Sequence, residues 1–211
     1  MKKILFIIIF FVVIGGTFLV YRSSSNEAVV EESNTVIGEK EPEENTDKYP
    51  AYTGEPIIFL GNDPIIKSFP LEAVVKQKLL LSQLAESLKE NPANFDGWLA
   101  VGLHKKFFNN YFGARDAWEY AKLVLSDHAL SYLNLGNLYG YYLNDFKKAE
   151  DNYLLAIDHD LLNSFNSYYA LANFYRDFGF KEKAIEYYKK VLEFFPEDAA
   201  VKVEIERLQV K

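Results

Sequence analysis

Residues 165–198 read FNSYYALANFYRDFGFKEKAIEYYKKVLEFFPED. Aromatic and small residues in this stretch recur upstream at a fixed interval. Trp118, Tyr153 and Tyr188 stand 35 residues apart, and so do Ala114, Ala149 and Ala184. Trp98, Tyr132 and Tyr168 are separated by 34 and 36, as are Gly102, Gly136 and Ala172. One added residue near Asn144-Asp145 and one fewer near 161–164 reconcile the two spacings. Such a period predicts a pair of antiparallel helices in each unit. The small residues let the two helices approach closely, and the aromatics fill the space between units. No unit can cover its apolar face alone, so the units must stack.

The pattern resembles the tetratricopeptide repeat family, whose unit is an aromatic, Leu-Gly, a tyrosine, an alanine, an aromatic, another alanine and a proline. Tyr168, Leu171, Ala172, Tyr175, Ala184, Tyr188, Val191 and Pro196 carry the fullest match. Tyr132, Leu135, Gly136, Tyr139, Ala149, Tyr153 and Ala156 follow it without the proline. Trp98, Val101, Gly102, Ala114, Trp118 and Ala121 form the first unit, with Lys105 in place of the tyrosine and Ser126 in place of the proline. The resemblance implies an all-α fold: a right-handed superhelical array of antiparallel helix pairs. Its three units span about 95–128, 129–163 and 165–198, and a capping helix covers 198–210. It also implies a concave groove lined by the first helix of each unit. The matching positions are Leu99, Leu103 and Lys106, then Leu133, Asn137 and Tyr141, then Tyr169, Asn173 and Arg176. Asn137 and Asn173 offer amides to an extended peptide, and Tyr141 and Tyr169 offer broad amphipathic contact. Of the positions with which some members clamp a peptide carboxylate, only Asn134 matches, so no clamp is expected. The implied partner is a protein or peptide; a homo-oligomer or a cell-wall glycan bound on the tyrosines are the alternatives.

Outward from the repeats, residues 71–90 place Leu80, Leu81, Leu84 and Leu88 on one helical face and stop at Asn91-Pro92. This reads as the second helix of a unit that lacks its first. From Asp198, a last helix turns Val201, Ile205 and Leu208 inward and Lys202, Glu204, Glu206 and Arg207 outward. Residues 51–70 hold three prolines among Ile57, Ile58, Phe59, Leu60, Ile65, Ile66 and Phe69. Proline blocks a helix, so an extended strap is expected, seated on an outer face of the 71–211 domain rather than in its groove. Residues 22–50 carry eight acidic and three basic residues and no aromatic before Tyr49, the composition of a disordered acidic linker.

The chain begins with Lys2 and Lys3, followed by an apolar run from Ile4 to Tyr21. As a helix it would be about 27 Å long, enough for a transmembrane anchor over 1–21. The lysines place the amino terminus in the cytoplasm and the repeats on the extracytoplasmic side. Signal-peptide cleavage near Ser23-Ser24-Ser25, with export, is the alternative. Anchor, linker and array together resemble small bacterial membrane-anchored members of the family.

The whole chain has 211 residues, a formal charge of −7, 15 Tyr, 17 Phe, 2 Trp, 3 His and no Cys. The negative charge argues against a general nucleic-acid binder. Without cysteine there are no disulfides, thiolate metal sites or cysteine nucleophiles. Neither G-x-S-x-G, a phosphate-cradling glycine loop nor H-E-x-x-H occurs. Asp158-His159-Asp160 falls at a helix end and reads as solvated loop rather than as metal ligands. No enzyme, metal or cofactor is expected.

Overall fold

The computed structural model describes residues 49–62, 64–160 and 165–210. Among them are eight α-helices and no strand. In chain order they are α1 (Leu71–Glu90), α2 (Phe95–Phe107), α3 (Tyr111–Val124), α4 (Ala129–Tyr141), α5 (Phe146–His159), α6 (Phe165–Asp177), α7 (Lys181–Phe194) and α8 (Ala199–Gln209). The pairs α2/α3, α4/α5 and α6/α7 pack most extensively, and α3, α5 and α7 each lean on the helix that follows. This is the stacked helix-pair array that the period requires. The proposed anchor and residues 22–48 of the acidic linker lie outside the described residues, as do the shortened turn near 161–164 and Lys211. Tyr49 and Pro50, expected in the linker, are instead seated on the domain through hydrogen bonds with Val124 and Tyr120. Among the described residues no helix is long and apolar enough to cross a membrane.

Each pair closes through one left-handed residue. Asn109, Asn144 and Gly179 have φ of 58°, 55° and 82°, and they too are 35 residues apart. Each lets the next residue fold back: the N–H of Asn110, Asp145 and Phe180 donates to the carbonyl of Lys105, Tyr139 and Tyr175 at 2.8–2.9 Å. Asn110 and Asp145 then cap α3 and α5, accepting from Gly113 N at 3.0 Å and Lys148 N at 3.1 Å. The α4–α5 turn, 142–145, has one residue more than its counterparts 108–110 and 178–180. That accounts for the added residue in the sequence period.

The core follows the small and aromatic positions. Ala114, Ala149 and Ala184 are fully buried, and Trp118, Tyr153 and Tyr188 fill the space beside them. A Cβ on Gly136 would stand 2.9 Å from Tyr153 Cδ1, closer than packing allows. Truncating one such aromatic to alanine costs about 3–5 kcal/mol. Trp98 and Tyr132 also reach back to the turn before their own helix, donating to Pro92 O at 2.9 Å and Ser126 O at 2.8 Å.

At the carboxyl end Val201 is buried, and Ile205 and Leu208 pack on the core. Glu204 is not turned outward as its place in the sequence suggested. It faces Arg176 at 3.7 Å, because α8 lies against the end of the groove. At the other end, α1 buries Val74, Leu81 and Leu88 but exposes Leu71, Val75 and Leu79 at 79%, 56% and 58%. Leu80 and Leu84 are only partly covered.

The strap is not extended throughout as expected: its prolines open a turn at 57–58, where the Phe59 N–H donates to Pro56 O at 3.0 Å, and a 3-10 helix at Pro64–Ser68. Its Tyr52 ring lies 4.7 Å from Trp98 and 5.5 Å from Tyr120. Tyr120 donates to Pro50 O at 2.8 Å, and the Glu55 N–H donates to Asp116 at 3.1 Å. On α2 the strap meets Trp98 and Lys105. At about 100° per residue these lie roughly a third of a turn from Leu99, Leu103 and Lys106. This part of the strap therefore lies off the groove row, while Phe69 further on packs against Phe107 at 5.3 Å.

Candidate binding groove

The nine groove positions come from α2, α4 and α6, one row per helix pair. In the first row Leu103 is 62% exposed. Leu99 is half-buried, and its carbonyl accepts from Trp118 Nε1 at 3.2 Å. Lys106 holds its ammonium 4.6 Å from the centre of the Tyr142 ring, a cation–π contact to the next pair.

In the second and third rows the asparagines do something other than wait for a ligand. Asn137 Oδ1 accepts from the Tyr153 hydroxyl at 3.0 Å, and its Nδ2 donates to Leu133 O at 3.0 Å. Asn173 Oδ1 accepts from the Tyr188 hydroxyl at 2.6 Å. Each asparagine thus satisfies the buried tyrosine of its own pair. In the first pair the aromatic is Trp118, whose N–H finds a backbone carbonyl, and the corresponding groove residue is Leu103. The exchange of Asn with Tyr for Leu with Trp is visible in the sequence, but the hydrogen bond it makes across a pair is not. Leu133 packs on the core below this row.

The third row is tied into a chain of polar contacts. The Tyr141 hydroxyl donates to Asp177 at 2.8 Å. Arg176 pairs with Asp177 through Nε at 2.8 Å, donates through Nη1 to the Tyr188 hydroxyl at 3.0 Å, and faces Glu204. Burial pushes the Tyr188 hydroxyl up to about 12 despite the opposing Arg176 charge, so it stays a donor at neutral pH. Burial and the Asp177 carboxylate raise Tyr141 as well. The Tyr141 ring also rests 5.4 Å from Phe178. Tyr169 keeps one edge toward Tyr188, with centroids 6.0 Å apart, and is about a third exposed. Asp177 and Glu204 were absent from the sequence-based set because neither occupies a motif position. They join the groove only through folding.

The row is therefore graded. Apolar surface at Leu99, Leu103 and Leu133 gives way to an ordered polar end at Asn173, Arg176, Asp177 and Glu204. Among the described residues no group of three or more His, Asp or Glu side chains could hold a metal ion. Residues 165–198, the third helix pair with its flanking turn, match the tetratricopeptide repeat family. No curated protein matches the chain.

Proposed function

We propose that this tetratricopeptide repeat protein is an adaptor that holds a protein or peptide partner in its concave row. The exposed Leu103 at one end of the row, with the satisfied polar network at the other, carries the reading. Apolar surface kept open at one end supplies affinity, and oriented hydrogen-bonding groups at the other supply selectivity. The partner segment that fits presents apolar side chains toward α2 and α4 and polar or charged ones toward α6. Tyr141 and Arg176 are already engaged, so they act as fixed surface rather than as free hooks.

In the fuller form of this proposal the helix pairs wind as a right-handed superhelix. Residues 1–21 anchor the chain in a single pass with the amino terminus in the cytoplasm. The array then works on the extracytoplasmic side, where tethering raises its effective concentration near membrane partners. Photoreactive side chains at Leu103 and Tyr169 in the full chain test it. One dominant protein crosslinked from both sites, with the Tyr169 crosslink lost on Leu103→Asp, is the expected result, and labelling of many proteins with equal yield would refute it. The stripe Leu71, Val75 and Leu79 on α1 favours a second reading, self-association through α1. Light scattering at micromolar concentration distinguishes them: a dimer abolished by Val75→Lys supports self-association, and a monomer supports the adaptor.

A further inference from the structure

Lys105 stands where the second and third pairs have Tyr139 and Tyr175. Those tyrosines reach a glutamate on the second helix of the preceding pair. Tyr139 donates to Glu119 at 3.4 Å, and Tyr175 donates to Glu150, which also takes Lys183 at 2.6 Å. On α1 the corresponding positions, 34 residues before Glu119 and Arg115, are Ala85 and Leu81. Neither can accept a hydrogen bond. The strap supplies the missing acid instead.

Lys105 is completely buried, yet all three ammonium protons are used. They go to Glu55 Oε2 at 3.1 Å, Pro56 O at 2.8 Å and Phe59 O at 3.0 Å. Asn110 Nδ2 donates to the same Glu55 oxygen and to Phe59 O at 3.3 Å. Since Asn110 also caps α3, one acid of the strap joins the end of α2 to the start of α3. Around this polar knot the strap and α1 share one apolar cluster, in which Leu60 of the strap and Val74, Leu81 and Leu88 of α1 pack with Trp98, Val101, Phe108, Ala117 and Tyr120.

The two states of this cluster differ in one respect that a tyrosine could not provide. With the strap seated, the ammonium is paired and dry. With the strap lifted, it is hydrated, and α1, which already packs beside the strap, cannot shift into the place the strap leaves without burying an unpaired charge. We propose that residues 49–60 and Lys105 form a latch: the first helix pair, and with it the Leu99–Leu103–Lys106 row, keeps its packing only while the strap is seated. The strap leads directly from the amino-terminal 48 residues, so tension from that side acts first on Tyr49 and Tyr52, and through them on one end of the groove.

Hydrogen exchange on the full chain tests the latch, with acrylamide quenching of tryptophan as a second readout. Both tryptophans, Trp98 and Trp118, lie in the first pair. Glu55→Ala is expected to speed exchange in α2 and α3 about tenfold or more, raise quenching, and leave α6 and α7 unchanged. Lys105→Met removes the charge that needs the acid. In that background Glu55→Ala is expected to change exchange less than about threefold. The latch is overturned if Glu55→Ala leaves α2 and α3 unchanged, accelerates every helix alike, or acts equally in both backgrounds.

Discussion

Gly102→Ala is the sharpest test of the helix-pair packing. A Cβ at this position would stand 2.5 Å from both Cδ1 and Cε2 of Trp118. The indole is 1% exposed and hydrogen-bonded to Leu99 O, so it has nowhere to go without losing that bond. Overpacking of this kind costs about 1–3 kcal/mol, and the lost hydrogen bond adds about 1 kcal/mol. Alanine returns about 1 kcal/mol of helix propensity over glycine. The net loss is about 1–3 kcal/mol. Urea unfolding followed by tryptophan fluorescence reads it where it occurs. With a slope of about 2 kcal/mol per molar, the midpoint falls by roughly 0.5–1.5 M. Adding Trp118→Tyr together with Leu103→Asn restores much of the loss, because the third pair already combines Ala172, Asn173 and Tyr188, with the hydroxyl bonded to the amide. An unchanged or higher midpoint for Gly102→Ala would refute the close approach of α2 and α3 as the reason for glycine there.

The same logic extends across the molecule. Asn137→Ala leaves the buried Tyr153 hydroxyl without its acceptor and costs about 1–3 kcal/mol in chemical denaturation, whereas Leu103→Ala, at an exposed position, stays within about 0.5 kcal/mol. Glu150 is held below its ordinary value by the Lys183 ammonium and then by the Tyr175 hydroxyl. Its contribution is therefore complete above the unfolded carboxyl value and is lost as pH falls through the lowered one. The wild-type urea midpoint should fall more than that of Glu150→Gln between about pH 5 and about pH 3. Leu103→Asp should weaken capture of the groove partner about tenfold or more, with a thermal midpoint within about 2 °C of wild type.

Much of this architecture was legible from residue spacing. Period, pair register and core identity follow from where Gly102, Gly136, Ala172 and their facing aromatics stand, because helix pairs of one geometry need small residues opposite large ones. The capping helices followed from apolar faces ending in polar ones. The groove was located by resemblance, but not what its side chains do. Asn137 and Asn173 looked free because a sequence does not display a hydroxyl 15 or 16 residues away.

Lys105 shows where the boundary lies. In the sequence it is a mismatch in the weakest unit. In the folded chain it is the centre of the strap's attachment, paired with an acid 50 residues earlier. Local periodicity fixes which face of a helix is greasy, since that depends on neighbours three and four residues away. Which distant carboxylate reaches a buried ammonium depends on the path of a proline-interrupted strap, and only tertiary packing decides that.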